Sequence, residues 1–140
     1  NSFKETSNKK FILNFDQDSS PRKIPKSIEI IYGLRNFIGN ANKFAKEKIF
    51  ITLKSNNEYT EIIIEDDGEG YPGEILSKIG EPYLRPFKKK DKNQSGLGLG
   101  IFIGKNLLEK NFASLNCQNS KTRTGAEVSI RWKSQDLKKI

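Results

Sequence analysis

Two asparagines and a lysine recur along one side of a predicted helix. Asn36, Asn40 and Lys43 are spaced i, i+4 and i+7, so a helix places them on a common face. An amide oxygen is a neutral, hard ligand suited to Mg²⁺, and a lysine one turn further on can meet a phosphate group. The stripe therefore favours a site for a metal-bound phosphate compound, although asparagines that only face solvent give the same spacing. The core stripe predicted on the opposite side consists of Ile31, Leu34, Ile38, Ala41 and Ala45.

Two glycine-rich segments could also contact a ligand. Asp66–Gly70 follows a predicted strand, where glycines permit a close backbone approach and a carboxylate can accept a hydrogen bond from an exocyclic amine. Gly96–Gly100 is predicted to be a loop that leads into a helix N-terminus, where free N–H groups attract phosphate. An ordinary turn and a helix-packing role for small residues remain the alternatives. Neither segment has the spacing of a P-loop or of a dinucleotide fingerprint.

Periodicity and turn residues predict the elements that must position these residues. Ser27 is the predicted N-cap of the long helix. The predicted elements are strand Phe11–Phe15, helix Ser27–Lys46, strands Lys48–Lys54 and Tyr59–Glu65, short helix Pro72–Ile79, a helix from Gly100 to about Lys110, and strands Ala113–Ser120 and Ala126–Trp132. Gly80–Ser95 shows no clear period and is predicted to be a long loop, and loops of this length are usually functional or disordered.

This order of elements predicts an α+β two-layer sandwich, in which helices cover one face of a mixed sheet. We expect residues 1–10 to be disordered or a linker remnant, residues 11–133 to form the domain and residues 134–140 to be a C-terminal tail. Because the chain opens on Asn1 and contains no Met, we expect it to be a piece of a longer protein.

Composition excludes several classes of protein. The 140 residues include 25 Lys and Arg against 17 Asp and Glu, a net charge of +8. This charge favours an anionic partner, such as nucleic acid, anionic lipid or a phosphate-bearing ligand, although a solvated lysine-rich surface gives the same count. The chain has no His and a single Cys, Cys117. Ser-His-Asp and Cys-His catalysis, a Cys/His zinc site and an intrachain disulfide are therefore excluded.

Taken together, the motifs resemble the ATP-binding domain of sensor histidine kinases, which belong to the gyrase, Hsp90, histidine kinase and mismatch-repair (GHKL) superfamily. They are N-x-x-x-N-A-x-K-F from Asn36, D-x-G-x-G from Asp66 and G-x-G-x-G from Gly96, and the resemblance spans about Ile28 to Trp132. A closer resemblance to the redox-regulating RegB/PrrB type rests on three further pieces of sequence. They are I-G-E-P-Y at 79–83, G-L-G-L-G-I-F-I-G-K at 96–105 with L-L-E at 107–109, and G-A-E-V-S-I-R-W at 125–132. The resemblance implies a Bergerat-type ATP-binding fold with a mobile lid.

The resemblance implies roles for residues of the first two motifs. Asn40 would ligate Mg²⁺ through its amide oxygen, with Asn36 beside it, and Lys43 would approach the phosphates. Phe44 would lie near the adenine, and Asp66 would accept a hydrogen from the adenine amino group. The glycines implied to let the purine approach are Gly68 and Gly70.

The resemblance also implies roles for the lid and for the third motif. The residues implied to wrap the phosphates are Gly96, Leu97, Gly98, Leu99 and Gly100. Gly80–Ser95 would be the lid, in which Tyr83 contacts the nucleotide and Arg85 reaches the γ-phosphate. Gly80 stands where the family has an aromatic residue, and Pro86-Phe87 offers a competing register for the lid motif.

The implied activity is transfer of phosphate and not hydrolysis of ATP. Hydrolysing members of the superfamily carry Glu, a base for water, where this chain has Asn36. The implied catalytic residues are Asn36, Lys43 and Arg85, and the cofactors are ATP and Mg²⁺. Because the chain has no His, the acceptor must lie on a separate dimerisation domain of the same kinase.

The same resemblance implies the protein's partners and location. We expect a response regulator downstream, a homodimeric full-length protein, a cytoplasmic location for this domain of a membrane-anchored bacterial kinase, and no nucleic-acid partner. Three alternatives remain: a degenerate domain that binds nucleotide without transfer, a different ATPase of the superfamily, and a basic nucleic-acid-binding module.

Overall fold

The described part of the chain forms a five-stranded mixed sheet, three α-helices and a short 3-10 helix. The computed structural model describes residues 9–15, 27–79, 92–121 and 124–140. The elements are β1 (Lys10–Phe15), α1 (Ile28–Phe44), β2 (Lys48–Ser55), β3 (Tyr59–Asp66), α2 (Gly73–Ile79), α3 (Lys92–Lys110), β4 (Ser114–Asn119), β5 (Ala126–Lys133) and a final 3-10 helix (Ser134–Lys139). The strand order is β1-β2-β3-β5-β4. Only the β1–β2 pair is parallel among these strands. The predicted order of strands and helices is confirmed.

The start of α1 is fixed by the predicted cap. The Ser27 hydroxyl accepts a hydrogen bond of 3.0 Å from the backbone N–H of Ile30, which satisfies a donor that the first turn leaves free. The helix ends at Phe44, slightly before the predicted limit near Lys46.

The predicted core face of α1 is partly wrong. The buried residues of the helix are Ile30, Gly33, Phe37 and Ala41. The side chain of Ile31, which was expected in the core, is 39% exposed, and Leu34 and Ile38 are only partly buried. The helix is rotated because Gly33 presents no Cβ and so permits close contact with α3.

Two glycines let α1 and α3 approach each other. A Cβ at Gly33 would lie 2.6 Å from Cγ of Leu108, and a Cβ at Gly104 would lie 2.7 Å from the Phe37 ring. Both distances are too short for a real methyl group, so these glycines determine the separation of the two helices. Leu108 and Phe37 are consequently fully buried against the sheet residues.

The helices cover one face of the sheet, as predicted. Alternate residues of β3 and β5 point into the core, and the inward residues of β5 are Ala126, Val128, Ile130 and Trp132. The other face carries polar pairs. The Ser129 hydroxyl donates to the Glu61 carboxylate at 2.7 Å, and the Arg131 guanidinium lies 3.8 Å from the Tyr59 ring centroid.

The residues interpreted as a C-terminal tail instead form the final 3-10 helix. Leu137 is buried in the core, and the Ser134 and Thr60 hydroxyls are hydrogen-bonded at 2.9 Å, so this segment is packed against the start of β3. Within the described ranges, no helix is long and apolar enough to cross a membrane.

Candidate functional site

A pocket lies where β3 ends beside the C-terminal half of α1. Its lining residues are Phe37, Asn40, Ala41, Phe44, Ile64, Asp66, Gly70, Tyr71, Ala126 and Val128. Most of these side chains are apolar or aromatic, and only Asn40 and Asp66 bring an amide or a carboxylate. Such a pocket suits a flat heterocycle that has one polar edge.

Asp66 is the buried carboxylate of the pocket, with 4% of its surface exposed. Its Oδ1 accepts hydrogen bonds from the backbone N–H groups of Gly68 at 2.8 Å and of Ala126 at 3.3 Å. Burial raises the pKa of this carboxyl above its ordinary value of 3.8, although the two backbone donors act to lower it. Because both donors engage Oδ1, Oδ2 is the oxygen that can accept from a ligand.

Glycines are required on both sides of Asp66. A Cβ at Gly68 would lie 2.2 Å from the carbonyl oxygen of Phe44, and a Cβ at Gly125 would lie 2.0 Å from the carbonyl oxygen of Asp66. Gly70 has a φ of +88°, which side chains disfavour. Sequence reasoning identified Gly68 and Gly70 but missed Gly125. The available signal was Gly125 itself, the first residue of the piece at 125–132 and the residue directly before β5.

Asp67 fastens the same turn to the end of α1. Its carboxylate accepts from the backbone N–H groups of Lys46 at 2.7 Å, of Glu47 at 3.1 Å and of Lys48 at 3.1 Å. Slight desolvation would raise the pKa of Asp67, but these backbone donors outweigh it and lower the pKa below 3.8. The turn is thereby held against the α1–β2 connection, beside Phe44.

The three polar residues predicted to form a stripe on α1 have separate surroundings. The Asn36 amide donates to the Tyr32 carbonyl at 2.8 Å, within its own helix. Asn40 lines the pocket, and Lys43 is exposed with its ammonium 5.4 Å from the Phe44 ring centroid. Four residues of α1 were predicted to belong to the site, and the structure brings two of them, Asn40 and Phe44, into the pocket.

The Asn40 amide could hold a metal ion only through its oxygen, because its Nδ2 group is a hydrogen-bond donor. Its Nδ2 is buried without a hydrogen-bond partner among the described residues. Its amide lies against α3, where a Cβ at Gly100 would be 3.2 Å away. No group of three or more His, Cys, Asp or Glu that could hold a metal occurs in the described ranges. A Mg²⁺ ion here would accordingly take its other ligands from phosphate and water, as Mg²⁺ commonly does.

The predicted loop at Gly96–Gly100 is wrong, because α3 begins at Lys92 and runs through it. Each glycine costs a helix about 1 kcal/mol, but adding residues to an existing helix is far easier than starting one. Gly100 is the glycine that meets Asn40 across the α1–α3 contact. The side chains of Leu97 and Leu99, and the lid residues Tyr83 and Arg85, lie outside the described parts of the chain.

Sequence reasoning also missed the residues behind the pocket. The Asn119 amide oxygen, at the end of β4, accepts from the backbone N–H of Tyr71 at 2.6 Å. The Tyr71 ring lines the pocket, and Cys117 lies against it. Burial raises the pKa of the Cys117 thiol to about 12. No local sequence signal identified Asn119, because its partner is distant along the chain.

Comparisons with known proteins agree with this geometry. The family model described as histidine kinase-, DNA gyrase B-, and HSP90-like ATPase matches residues 26–136. Sensor histidine kinase RegB of Cereibacter sphaeroides is 38% identical over 120 residues, which cover 74% of this chain and 26% of the relative. Sensor protein RstB of Escherichia coli is 29% identical over 99 residues, covering 71% and 23%. The chain thus spans about a quarter of the length of these curated relatives.

Solved structures have the same architecture. The mycobacterial sensor histidine kinase MprB superposes with a TM-score of 0.69 at 20% identity, covering 94% of this chain and 86% of that one. The catalytic domain of histidine kinase ThkA gives a TM-score of 0.68 at 21% identity, covering 95% and 86%. The predicted Bergerat-type α+β fold is confirmed by these likenesses. The chain belongs to the family of histidine kinase-, DNA gyrase B- and HSP90-like ATPases.

Proposed function

We propose that this domain binds ATP with Mg²⁺ and presents the γ-phosphate to a histidine on a separate dimerisation domain of a sensor histidine kinase. The observation that carries the proposal is the buried Asp66 carboxylate at the end of β3, set in a pocket whose other lining side chains are mostly apolar or aromatic. An adenine ring fills such a pocket through its faces and donates from its amino group to one acceptor. The carboxylate therefore selects a base with a donor at that edge.

Asn40 is the residue that would hold Mg²⁺. Its amide oxygen would be the ligand, while its buried Nδ2, which has no hydrogen-bond partner among the described residues, is left to donate to the nucleotide. Asn40 and Asp66 both line the pocket. The bound ion would neutralise phosphate charge, the main requirement of phosphoryl transfer. The exposed Lys43 ammonium, close to the Phe44 ring, is the described cation nearest in sequence to that wall and would meet phosphate oxygens.

The residues of α1 favour transfer of phosphate to an acceptor over hydrolysis. Asn36 cannot take a proton from water, and its amide is bonded to the Tyr32 carbonyl. Asp66 is the one carboxylate among the described pocket-lining residues, and two backbone donors already engage it. ATP held beside such residues lacks a positioned general base for water.

The acceptor and the partners lie outside this chain. The sequence contains no His, so the phosphorylated residue would come from the dimerisation domain, and a response regulator would then receive the phosphate. We place this domain on the cytoplasmic side of a membrane-anchored, homodimeric kinase, in line with its similarity to RegB. The lid residues Tyr83 and Arg85 and the wrapping segment Gly96–Gly100 would complete the nucleotide site.

Transfer in trans tests this proposal. The domain is mixed with the histidine-bearing dimerisation domain of its own full-length protein and with ATP that carries a radiolabelled γ-phosphate. We expect acid-labile label on the dimerisation domain, dependent on Mg²⁺ and lost with Asp66→Asn. Binding of ATP without any label on the histidine would contradict transfer and leave a domain that only binds nucleotide.

A further inference from the structure

The turn that carries Asp66 is held from its far side by one asparagine of β4. The Asn119 Oδ1 accepts from the backbone N–H of Tyr71 at 2.6 Å, and its Nδ2 donates to the carbonyl of the same residue at 3.4 Å. One amide therefore contacts both polar backbone groups of Tyr71. Asn119 and Tyr71 are 48 residues apart in the sequence, so this contact joins β4 to the turn after β3.

Asn119 also determines the backbone path at Gly70. A Cβ at Gly70 would lie only 2.6 Å from the Asn119 Oδ1, and Gly70 already has a φ of +88°. The amide consequently lies directly against the backbone where the turn reverses direction. Gly70 and Tyr71 both line the pocket, whereas Asn119 does not.

The strand end that carries Asn119 is itself bonded to the residues that neighbour Asp66. The backbone N–H of Ser120 donates to the carbonyl of Gly125 at 2.9 Å, and the Ser120 hydroxyl donates to the Glu65 carboxylate at 2.9 Å. Gly125 in turn lies against Asp66. Asn119 therefore belongs to the same network of contacts that holds Asp66.

We propose that Asn119 is a positioning residue for nucleotide binding, which acts through Gly70 and Tyr71 without touching the nucleotide. This inference rests on the proposed binding of ATP in the pocket. If the amide is removed, the Tyr71 N–H loses its acceptor and the turn is free to move away from β4. The purine would then meet a displaced wall, and the Asp66 carboxylate would lose its alignment.

Asn119→Ala tests this role, and Asn56→Ala is the matched control. Asn56 is also an asparagine that supports a turn, since its Oδ1 accepts from the N–H groups of Glu58 and Tyr59, both at 2.8 Å. That turn joins β2 and β3 at the end of the sheet remote from Asp66. Both variants lose turn hydrogen bonds, but only Asn119→Ala alters the pocket.

We expect Asn119→Ala to weaken ATP binding about tenfold and to reduce the preference for ATP over GTP, because the turn that reads the base is displaced. Asn56→Ala should change the ATP dissociation constant by less than about twofold. Fluorescence of Trp132, the single tryptophan, reports whether each variant is folded at the measuring temperature. A loss of ATP affinity without a change in the ATP-to-GTP ratio would overturn the positioning role.

Asn119→Asp keeps the acceptor for the Tyr71 N–H and removes the donor, so its loss of ATP affinity should be smaller than that of Asn119→Ala. It also serves as the test if the alanine variant does not fold. Wild-type ATP affinity in both Asn119 variants would overturn the inference while the proposed function stands. Absence of ATP binding by the wild-type domain would overturn both.

Discussion

Two glycine-containing segments border the candidate site, and they are built in different ways. In the turn at Asp66–Tyr71, side chains fix the backbone: Asp66 and Asp67 accept from N–H groups, and Asn119 holds Tyr71. In α3, the run Gly96–Gly100 is part of a continuous helix. The glycines of the turn are required by close contacts, whereas those of the run lie in a backbone that any residue can adopt.

The difference shows that glycine spacing alone does not define a phosphate-binding loop. G-x-G occurs in both segments, but only the turn follows a strand whose last residues carry carboxylates able to accept from the backbone. A glycine-rich run without such acceptors can be incorporated into an adjoining helix at a modest cost. Substitutions in the two segments should therefore have effects of different size and even of opposite sign.

The largest loss of stability is expected for the two glycines that contact the backbone around Asp66. Gly68→Ala and Gly125→Ala would each place a methyl group within 2.2 Å of a backbone carbonyl oxygen, so the backbone must move. We expect each to lower the free energy of unfolding by about 3 kcal/mol, as in severe overpacking. Urea unfolding measures this change. Gly73→Ala is the control, since nothing lies within 4 Å of a Cβ there. An unchanged stability of Gly68→Ala would contradict the geometry of the turn.

Asp66→Asn should separate binding from stability. The amide keeps an oxygen for the Gly68 N–H but cannot serve as a charged acceptor, so ATP affinity should fall on the order of tenfold to a hundredfold. The pKa of Asp66 is raised, so wild-type stability decreases as pH rises from 3.8 through that raised pKa. The asparagine side chain does not titrate and lacks this dependence.

This pH dependence is best followed as the difference in free energy of unfolding between Asp66→Asn and wild type, measured in urea. We expect the variant to gain relative stability as the pH increases through that range. A relative loss of stability with rising pH would show that the folded state favours the ionised carboxylate, contrary to its burial.

Asp67→Ala should have a smaller effect, about 1 kcal/mol, because the carboxylate is largely in contact with water and its hydrogen bonds are weakened by solvent. The lowered pKa of Asp67 fixes the sign: its contribution is present above pH 3.8 and is lost as pH falls below that value through the lowered pKa. Unfolding curves of wild type and variant should therefore converge in acid. If wild type and Asp67→Ala differed in free energy of unfolding by the same amount in strong acid and at neutral pH, a stabilising role for the ionised Asp67 carboxylate would be excluded.

Gly98→Ala should change stability in the opposite direction. Gly98 lies within α3, and replacing a helical glycine by alanine raises the free energy of unfolding by about 0.5 to 1 kcal/mol. The reason is that alanine has less conformational freedom than glycine in the unfolded chain. Thermal unfolding checks the gain. Destabilisation would mean that Gly98 does not occupy an ordinary helical position. Weaker ATP binding by the stabilised variant would support the proposal that Gly96–Gly100 wraps the phosphates.

The elements of the fold could largely be predicted from the sequence, because periodicity and caps are local. The strands β2, β3 and β5 lie where the sequence predicts them, and Ser27 caps α1 as predicted. The start of α3 at Lys92 could not be predicted, since glycines usually weaken or end helices, whereas here the helix continues through them. The rotation of α1 depends on Gly33, whose effect requires Leu108 of another helix.

The site was predictable where a motif lies in one segment. Asp66 and Asn40 could both be predicted as site residues from the sequence, and the structure brings both into one pocket. Their roles in binding nucleotide remain predictions. Gly125 and Asn119 were missed because each acts on a residue that is far away along the chain. Such contacts become visible only when the sheet aligns β4 and β5 with the end of β3.

Titration of the wild-type domain with ATP, with and without Mg²⁺, tests the central claim most directly. Calorimetry should show saturable binding to a single site that Mg²⁺ strengthens and that Asp66→Asn weakens by roughly tenfold to a hundredfold. Absence of binding at millimolar ATP, or equal binding by wild type and Asp66→Asn, would contradict the assignment of this pocket to the nucleotide.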